Sequence, residues 1–560
     1  MLQQQSMALD EVLALVGVHD QSPRVLENFC PLHRSLEWAL LRAYYDRAGA
    51  SAFTAGEVPF AGTSSGRLSE DAAAVLFASL ESAGGPDEPI RCLELGPGSG
   101  VFAKLLLDDL RRRCREQQRD YYERMTLILA DSSRAMLDAI AANEVLAEHK
   151  GHYELVHSDP FRPAQAATGK DGLHAVFLNY VLDSLPASVV RRTETGIEQL
   201  CVRTCLDRDV VLEDYTALSL AEVINLAGAT DEAAKQELVD LYPALVVDLR
   251  YEALAAGELP EEDTLDAVLP SRTDEPVVHS HGALACLRAL VERLTAGGFV
   301  LFSDFAARER DPAAPEHAPY PIYGGAIAVG INFGEIENAA LRWSRCSFHA
   351  PVASDEGLVS RMIGCELDAA TVARFAERFD PARLRAGRAP RDRARKLLED
   401  RRRPNAARAA LAHALALAPR DWTLYEEAAS FLTYVVRDRE AGRVLARYGL
   451  SLNPLSMGLW NVLGDCELHA RRPREALRCY ERAIELNPSE VRARYNAAYA
   501  FTARRDYGAA LRMIADALAL DDGGYRERLL GKQARIVDLL ARRRQNEQAR
   551  RRDRARPWRA

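Results

Sequence analysis

Five short apolar runs punctuate a largely helix-patterned stretch: residues 91–95, Thr126 to Ala130, Tyr153 to His157, Ala175 to Leu178 and Phe299 to Phe302. Runs this short, apolar without alternation, suit strands buried on both faces of a parallel sheet. Helical patterns such as VFAKLLLDDLRRR lie between most of them. The alternation predicts an α/β fold with an open, doubly wound sheet and a ligand site at the C-terminal ends of its strands. Residues 1–84 read as an N-terminal helical segment. Residues 206–280 read as an acidic, mostly helical insertion containing GELPEEDTLD, placed between the fourth strand and the helix before the fifth. His279 and His281 flank a possible helix start there, and the reading is of solvent-facing capping residues rather than a base.

The last third has a different rhythm. Three blocks of 34 residues, 419–452, 453–486 and 487–520, repeat the same placement of small and aromatic residues. In the middle block Trp460, Leu463 and Gly464 fall on a first helix, and Ala476, Tyr480 and Ala483 on a second. The period and pattern resemble the tetratricopeptide repeat, an α-helical hairpin that stacks into a superhelix. A degenerate unit at 385–418 and a closing helix from about Tyr525 extend the array. The expected organisation is 1–84 helical, 85–350 the sheet domain, 351–384 a linker, 385–524 an all-α repeat domain, and 525–560 a capping helix with a basic tail.

Charge follows the same boundary. Of 560 residues, those up to Leu384 carry 34 basic and 59 acidic side chains, a balance of -25. Those from Arg385 carry 38 and 22, a balance of +16, so the overall -9 conceals two opposed parts. Opposite fields of this size imply either a basic array folded against the insertion at 206–280 or an array that recruits an acidic partner. The acidic sheet domain argues against a nucleic acid partner, because phosphate-binding channels are positive. Apolar runs such as Ala326 to Ile331 are too short to span a membrane. The first basic residue is Arg24, so the N-terminus lacks the charge of a secretory signal, and a cytoplasmic protein is expected. The ten cysteines show no metal-ligand spacing and read as reduced thiols. Only six of 72 basic residues are Lys, a bias that points weakly to a bacterial source.

The chemistry gathers at the strand ends. CLELGPGSGVF puts Glu94 at the end of the first strand and Gly96, Gly98 and Gly100 in the turn after it. Glycines there admit close backbone approach to a ligand. The second strand ends in LILADSS, with Asp131 and Ser132; the third leads to Asp159 in HSDPF; the fourth ends at Asn179 in NYVLDSLP. In that order the residues resemble the class I methyltransferases, which have a Rossmann-like sheet and use S-adenosylmethionine; the resemblance covers residues 85 to 350. It implies that Glu94, the three glycines, Asp131, Ser132, Asp159 and Asn179 bind the cofactor, with Asp131 on the ribose hydroxyls and Asp159 at the adenine amino group. A dinucleotide site fits less well, since its third glycine would come one residue later and Glu94 would repel a pyrophosphate.

NYVLDSLP and YGGAIAVGINFGEIENAA are also similar to segments of the MidA family, whose mitochondrial members methylate an arginine on a respiratory complex I subunit. Tyr180 replaces that family's Glu, removing one carboxylate suited to gripping a guanidinium. Methyl transfer itself needs in-line alignment and exclusion of water. Asn179 is expected to orient the acceptor, Asp183 to accept a proton or hold a cation, and Tyr180 to line the pocket. The array's binding groove implies a protein or peptide acceptor. A non-catalytic assembly scaffold that retains the pocket, or an enzyme acting on a small molecule, are the competing readings.

Overall fold

The computed structural model describes residues 24–49, 51–54, 64–84, 89–160, 162, 172–231, 233–269, 275–307, 322–323, 326–327, 329–351, 358–399, 403–521 and 523–554. Two short strands, β1 (Arg24–Val25) and β2 (Cys30–Pro31), precede the helices α1 (Leu36–Ala48), α2 (Ser51–Thr54) and α3 (Arg67–Ser82). Then come β3 (Ile90–Leu95), α4 (Val101–Gln117), β4 (Met125–Asp131), α5 (Arg134–Ala142), β5 (Tyr153–His157) and β6 (Leu173–Asn179). An insertion follows, with β7 (Ser188–Arg192), β8 (Ile197–Leu206), α6 (Leu220–Ala227), β9 (Leu245–Ala253) and β10 (Pro276–His279). The chain returns through α7 (His281–Val291) to β11 (Leu294–Phe305). It continues with the hairpin β12 (Ile322–Tyr323) and β13 (Ala326–Ile327), α8 (Phe333–Ala340), β14 (Cys346–His349) and β15 (Leu358–Cys365).

The five apolar runs are the five parallel strands β5, β4, β3, β6 and β11, in that spatial order. The near-total burial of β3, β4, β6 and β11 explains their unbroken apolar pattern, because helices cover both faces, while β5 at the sheet edge is half exposed. One face packs on α3, α4 and α9 (Ala369–Arg378), the other on α7 and α8. The sheet does not stop there. Beyond β11 come β15 and then β14, both antiparallel to their neighbours, so residues 358–365 form a central part of the sheet where a linker was expected.

The insertion also differs from expectation. Its frame is a six-stranded antiparallel sheet of β7 to β10 with β1 and β2, and its helical turns lie on that frame. Leu245, Val247, Leu249 and Tyr251 alternate with outward residues along β9, the period of a half-buried strand. α1 packs on the same core.

The C-terminal part is all-α: α10 (Pro381–Glu399), α11 (Pro404–Leu417), α12 (Trp422–Phe431), α13 (Arg439–Leu452), α14 (Met457–His469), α15 (Pro473–Leu486), α16 (Val491–Ala503), α17 (Tyr507–Leu520) and α18 (Arg526–Arg554). The second helices of the three central hairpins begin at Arg439, Pro473 and Tyr507, each 34 residues after the last. Each hairpin turns on a left-handed residue, Arg437, Arg471 and Arg505, in the same register. A Cβ on Gly464 would lie 2.5 Å from the Tyr480 ring, so the small residue is what lets the helices close.

The array docks on α4. Val101, Leu105 and Val145 share a core with Trp422, Tyr425 and Leu459. Arg420 pairs with Asp108 and Asp109, each at 3.3 Å, and the Trp422 indole donates to the Ser64 carbonyl at 2.8 Å. Where the basic array meets the acidic part, its counterpart is the face of α4.

Candidate functional site

β3, β4 and β6 end level with one another, which brings their last residues to one edge of the sheet. The turn after β3 is left-handed at all three glycines, with φ of +67°, +52° and +77° at Gly96, Gly98 and Gly100. A Cβ on Gly96 would stand 2.6 Å from Val181 Cγ2, and one on Gly98 3.1 Å from the Phe53 ring. The turn is thus pressed between the segment after β6 and the helix α2. Gly96 N donates to the Ala130 carbonyl at 2.8 Å, and Gly100 caps α4.

Two buried polar atoms at this edge lack partners. Glu94 is 2% exposed and its Oε2 has no hydrogen bond; Asn179 Nδ2 is likewise buried and unbonded. Leaving such groups unpaired costs free energy, and a ligand between the strand ends would satisfy both. Burial, reinforced by the neighbouring Asp131 charge, holds the Glu94 carboxyl well above the usual range. Asp131 Oδ1 accepts from Ser133 N at 2.8 Å, and burial pushes its carboxyl up to about 6. Ser132 is exposed beside it, its carbonyl 2.9 Å from His157 Nε2. Asp159 lies past β5 and, like Ser132, is exposed.

The segment after β6 is held from β11. Tyr180 is left-handed at φ +56°, its N–H donates to the Ser303 carbonyl at 3.0 Å, and its ring lies 5.0 Å from that of Phe305. A non-glycine residue pays for that backbone, so the surroundings must impose it. Asp304 does much of this: Oδ2 accepts from Leu182 N at 2.8 Å and Asp183 N at 3.3 Å, and Oδ1 from Phe305 N at 2.9 Å. The Asp183 carboxyl is buried and hydrogen-bonded to that of Asp304. Burial, then the Asp304 charge, holds Asp183 well above the carboxylate range, while burial pushes Asp304 up to about 7. Asp183 is therefore one half of a buried carboxyl pair that keeps a proton.

Sequence reasoning placed Glu94, the glycines, Asp131, Ser132, Asn179, Tyr180 and Asp183 around one cleft, and the fold brings them together. It missed Asp304, whose signal was an acid closing the apolar strand VLFSDF, and the aromatic cover from Tyr45 and Phe53 on α1 and α2. His279 and His281 are not solvent-facing caps; both are buried. His279 bridges Glu335 at 2.6 Å and the Pro260 carbonyl at 2.8 Å, tying the insertion to α8. Among the described residues no cluster of His, Cys, Asp or Glu could hold a metal ion.

Residues 72–318 match a family model described as "Putative S-adenosyl-L-methionine-dependent methyltransferase", and residues 458–490 match a tetratricopeptide repeat model. The chain is 38% identical over 73 residues to a peroxisomal targeting signal receptor of Candida glabrata, covering 13% of this chain and 12% of that one. It is 47% identical over 49 residues to the receptor of Saccharomyces cerevisiae, covering 9% and 8%. It thus spans about a tenth of the length of the curated relatives it matches. A Burkholderia thailandensis structure bound to S-adenosyl-homocysteine covers 65% of this chain and 93% of its own, at 16% identity and a TM-score of 0.40.

Proposed function

We propose, from the premise that residues 72–318 belong to a family of S-adenosyl-L-methionine-dependent methyltransferases, that the cleft at the ends of β3, β4 and β6 transfers a methyl group to a protein or peptide acceptor. The observation that carries the reading is the pair of unpartnered buried atoms, Glu94 Oε2 and Asn179 Nδ2, on either side of the glycine turn. Bound there, S-adenosylmethionine would supply an electrophilic methyl group and a neutral thioether leaving group.

The residues present fit such a ligand. Glu94 and Asp131 offer negative charge to a cationic cofactor, with Asp131 at the position that accepts ribose hydroxyls and Ser132 and Asp159 toward the base. Gly96, Gly98 and Gly100 leave room for it to lie on the backbone. Phe53 and Tyr45 cover the cleft and keep water out, which matters because alignment and dryness are most of what this transfer needs.

Asn179 directs its unpaired amide N–H into the cleft and orients the acceptor. Asp183 and Asp304 hold the Asn179 to Asp183 turn, with Tyr180 as its strained wall. Because Asp183 keeps its proton, it serves as a positioning residue and not as the base. The repeat array, fixed to α4, presents the acceptor protein, in keeping with the repeat match at 458–490.

Calorimetry with purified full-length protein tests the first step. Binding of S-adenosylmethionine is expected, and Asp131→Ala should weaken it by roughly 1–3 kcal/mol through lost charge-assisted hydrogen bonds. A wild-type protein indifferent to the cofactor at millimolar concentration removes the enzymatic reading. Labelled methyl donor in a cell lysate then identifies the acceptor as protein or small molecule.

A further inference from the structure

In the register of β14 against β15, Cys346 stands directly opposite Cys365. No other strand pairing among the described residues sets one cysteine against another: Cys30 faces Val202, Cys201 faces Pro31 and Arg250, and Cys205 faces Val25 and Val246. Both thiols are free, and both belong to the core that the sheet shares with α7 and α8, so they lie on one face. The hydrogen-bond ladder fixes how close they come. Glu366 N donates to the Arg345 carbonyl at 3.2 Å, which makes Arg345 and Glu366 a hydrogen-bonded pair and the neighbouring cysteines a non-hydrogen-bonded one. At such a pair the Cα atoms stand about 4.5 Å apart, and the side chains approach more closely than at the alternate rungs. A disulfide spans a Cα separation of about 4.4–6.8 Å, so the two sulfurs can join without either strand moving away.

The pair is the last rung of its ladder. Arg345 and Glu366 are left-handed, at φ +64° and +52°, which ends both strands there, and their side chains pair at 2.7 Å. β14 is four residues long and lies at the edge of the sheet, so it frays from this rung. It also follows α8, whose Glu335 accepts from Ser280 N and bonds His279 of the insertion. A covalent link to β15, itself paired to β11 from Leu358 to Gly364, would fix the edge strand and with it the end of α8. Exposure orders the two thiols. Cys346 is half-buried, with its Sγ near the surface at 3.3 Å from the Ser344 carbonyl, whereas Cys365 is 4% exposed. An oxidant therefore meets Cys346 first, and Cys365 is placed to resolve it. Burial raises both thiols above the ordinary range, the Arg345 guanidinium opposes it, and thiolate supply sets the pace.

We propose that Cys346 and Cys365 are a reversible oxidation site, at which hydrogen peroxide closes a disulfide that staples β14 to β15. The Cys346 thiolate attacks one peroxide oxygen; the O–O bond breaks, hydroxide leaves, and the sulfur, oxidised by two electrons, becomes a sulfenic acid. The Cys365 thiolate then attacks that sulfur. The S–S bond forms as the S–O bond breaks, and the departing hydroxide takes up a proton to leave as water. In sum, two thiols and one peroxide give one disulfide and two waters, and a dithiol restores the free pair by exchange. The staple sits at the end of the sheet away from the cleft: Gly364 pairs with Phe299, whereas Leu358 pairs with Phe305 beside Asp304. Its chemistry is separate from methyl transfer and does not rest on the reading of the cleft.

Trypsin cuts after Arg345, Arg361 and Arg374, so the two cysteines fall on different peptides, 346–361 and 362–374. Full-length protein is reduced, freed of reductant and treated with hydrogen peroxide; its remaining thiols are alkylated in denaturant and the digest is read by mass spectrometry. The two peptides should appear joined and two hydrogens lighter, with eight of the ten cysteines still open to alkylation. Dithiothreitol should separate them. The oxidised protein should melt at least about 3 °C above the reduced one, because the link closes a loop across 18 residues. Cys346→Ser should abolish the joined peptide and the shift while melting with the reduced wild type. In Cys365→Ser the sulfenic acid at Cys346 should persist and be trapped by dimedone; if that buried substitution fails to fold, the half-exposed Cys346→Ser still decides. The proposal falls if the two peptides stay separate in millimolar peroxide, whether or not Cys346 passes to a sulfinic acid. It falls equally if the joined pair involves another cysteine such as Cys466 or Cys479, or if the linked protein melts no higher than the reduced one.

Discussion

Replacing Asp183 by Asn should leave the protein folded and active, and replacing it by Ala should not. The reasoning is an inventory of hydrogen bonds. Asp304 accepts three backbone N–H groups, from Leu182, Asp183 and Phe305, so it is the carboxyl better able to bear a charge. Asp183, bonded to it, must then donate, and an Asn amide N–H can donate in its place. Turnover of Asp183→Asn should stay within about threefold of wild type, because alignment is preserved. Asp183→Ala deprives a carboxylate that is 1% exposed of its donor, which should cost about 1–3 kcal/mol of stability. Asp304→Ala strands three N–H groups beside the strained Tyr180 and should cost more.

The pair also sets a pH dependence. In the unfolded chain both carboxyls titrate near about 4, whereas burial raises both in the fold. The folded state therefore holds extra protons on both carboxyls; their stabilising contribution is complete below about pH 4, the Asp304 part is lost as pH rises through about 7, and the Asp183 part persists above that. Each extra proton gives a slope of about 1.4 kcal/mol per pH unit, so the slope falls as Asp304 ionises. Denaturant melts from pH 4.5 to 7.5, paired with turnover at pH 7.5, check both statements, with Asp183→Asn expected to flatten the slope. If Asp183→Asn is as inactive as Asp183→Ala while equally well folded, Asp183 is a base and the inventory is wrong.

Three further outcomes follow from named contacts. Glu94 and Asp131 are raised by burial in the free protein, and a cationic cofactor must lower both, so binding should release protons and tighten as pH rises through about 6; calorimetry in buffers of different ionisation enthalpy reads this, and pH-independent binding would contradict it. Gly96→Ala forces a Cβ to 2.6 Å from Val181 at a left-handed φ and should abolish cofactor binding, whereas Gly257→Ala, left-handed at φ +84° but with open space, should cost only about 1 kcal/mol in a thermal melt. Arg420→Ala leaves Asp109, fully buried, with Arg112 alone, and should destabilise by about 2–5 kcal/mol in denaturant unfolding.

β3, β4, β6 and β11 were legible because each is buried on both faces and so writes an apolar run; β5, at the sheet edge, is half exposed and carries Glu154 and His157. The insertion was not legible. Its β9 presents one face to solvent, and 38 residues lie between it and the end of its partner β8, so the pairing leaves no local mark among acidic residues that read as helix. β15 was lost for the related reason that an antiparallel strand entering between β11 and β14 follows no βα rhythm. At the site, the acids at strand ends and the glycine turn were readable from spacing alone. The pairing of Asp183 with Asp304 was not, since 121 residues separate them and only the fold makes them neighbours. His279 illustrates the opposite error: a polar residue near a helix start looks solvated until Glu335 is found against it.

The opposed charges of the two parts meet where the array docks. Arg420 engages Asp108 and Asp109 on α4, the helix that follows the glycine turn of the cleft. A tethered module could be cut away without consequence for the cleft. This array cannot, because Val101, Leu105 and Val145 lose their cover when it goes. Removing it would expose apolar surface and unpaired carboxylates on the very helix that follows the glycine turn, so lost activity in a truncated chain would say nothing about substrate choice. Among the described residues Arg528 and Arg535, exposed on α18 at the far end of the array, take part in no ion pair. Substrate selection by the array is therefore best separated from folding at that end, with single substitutions in the intact chain.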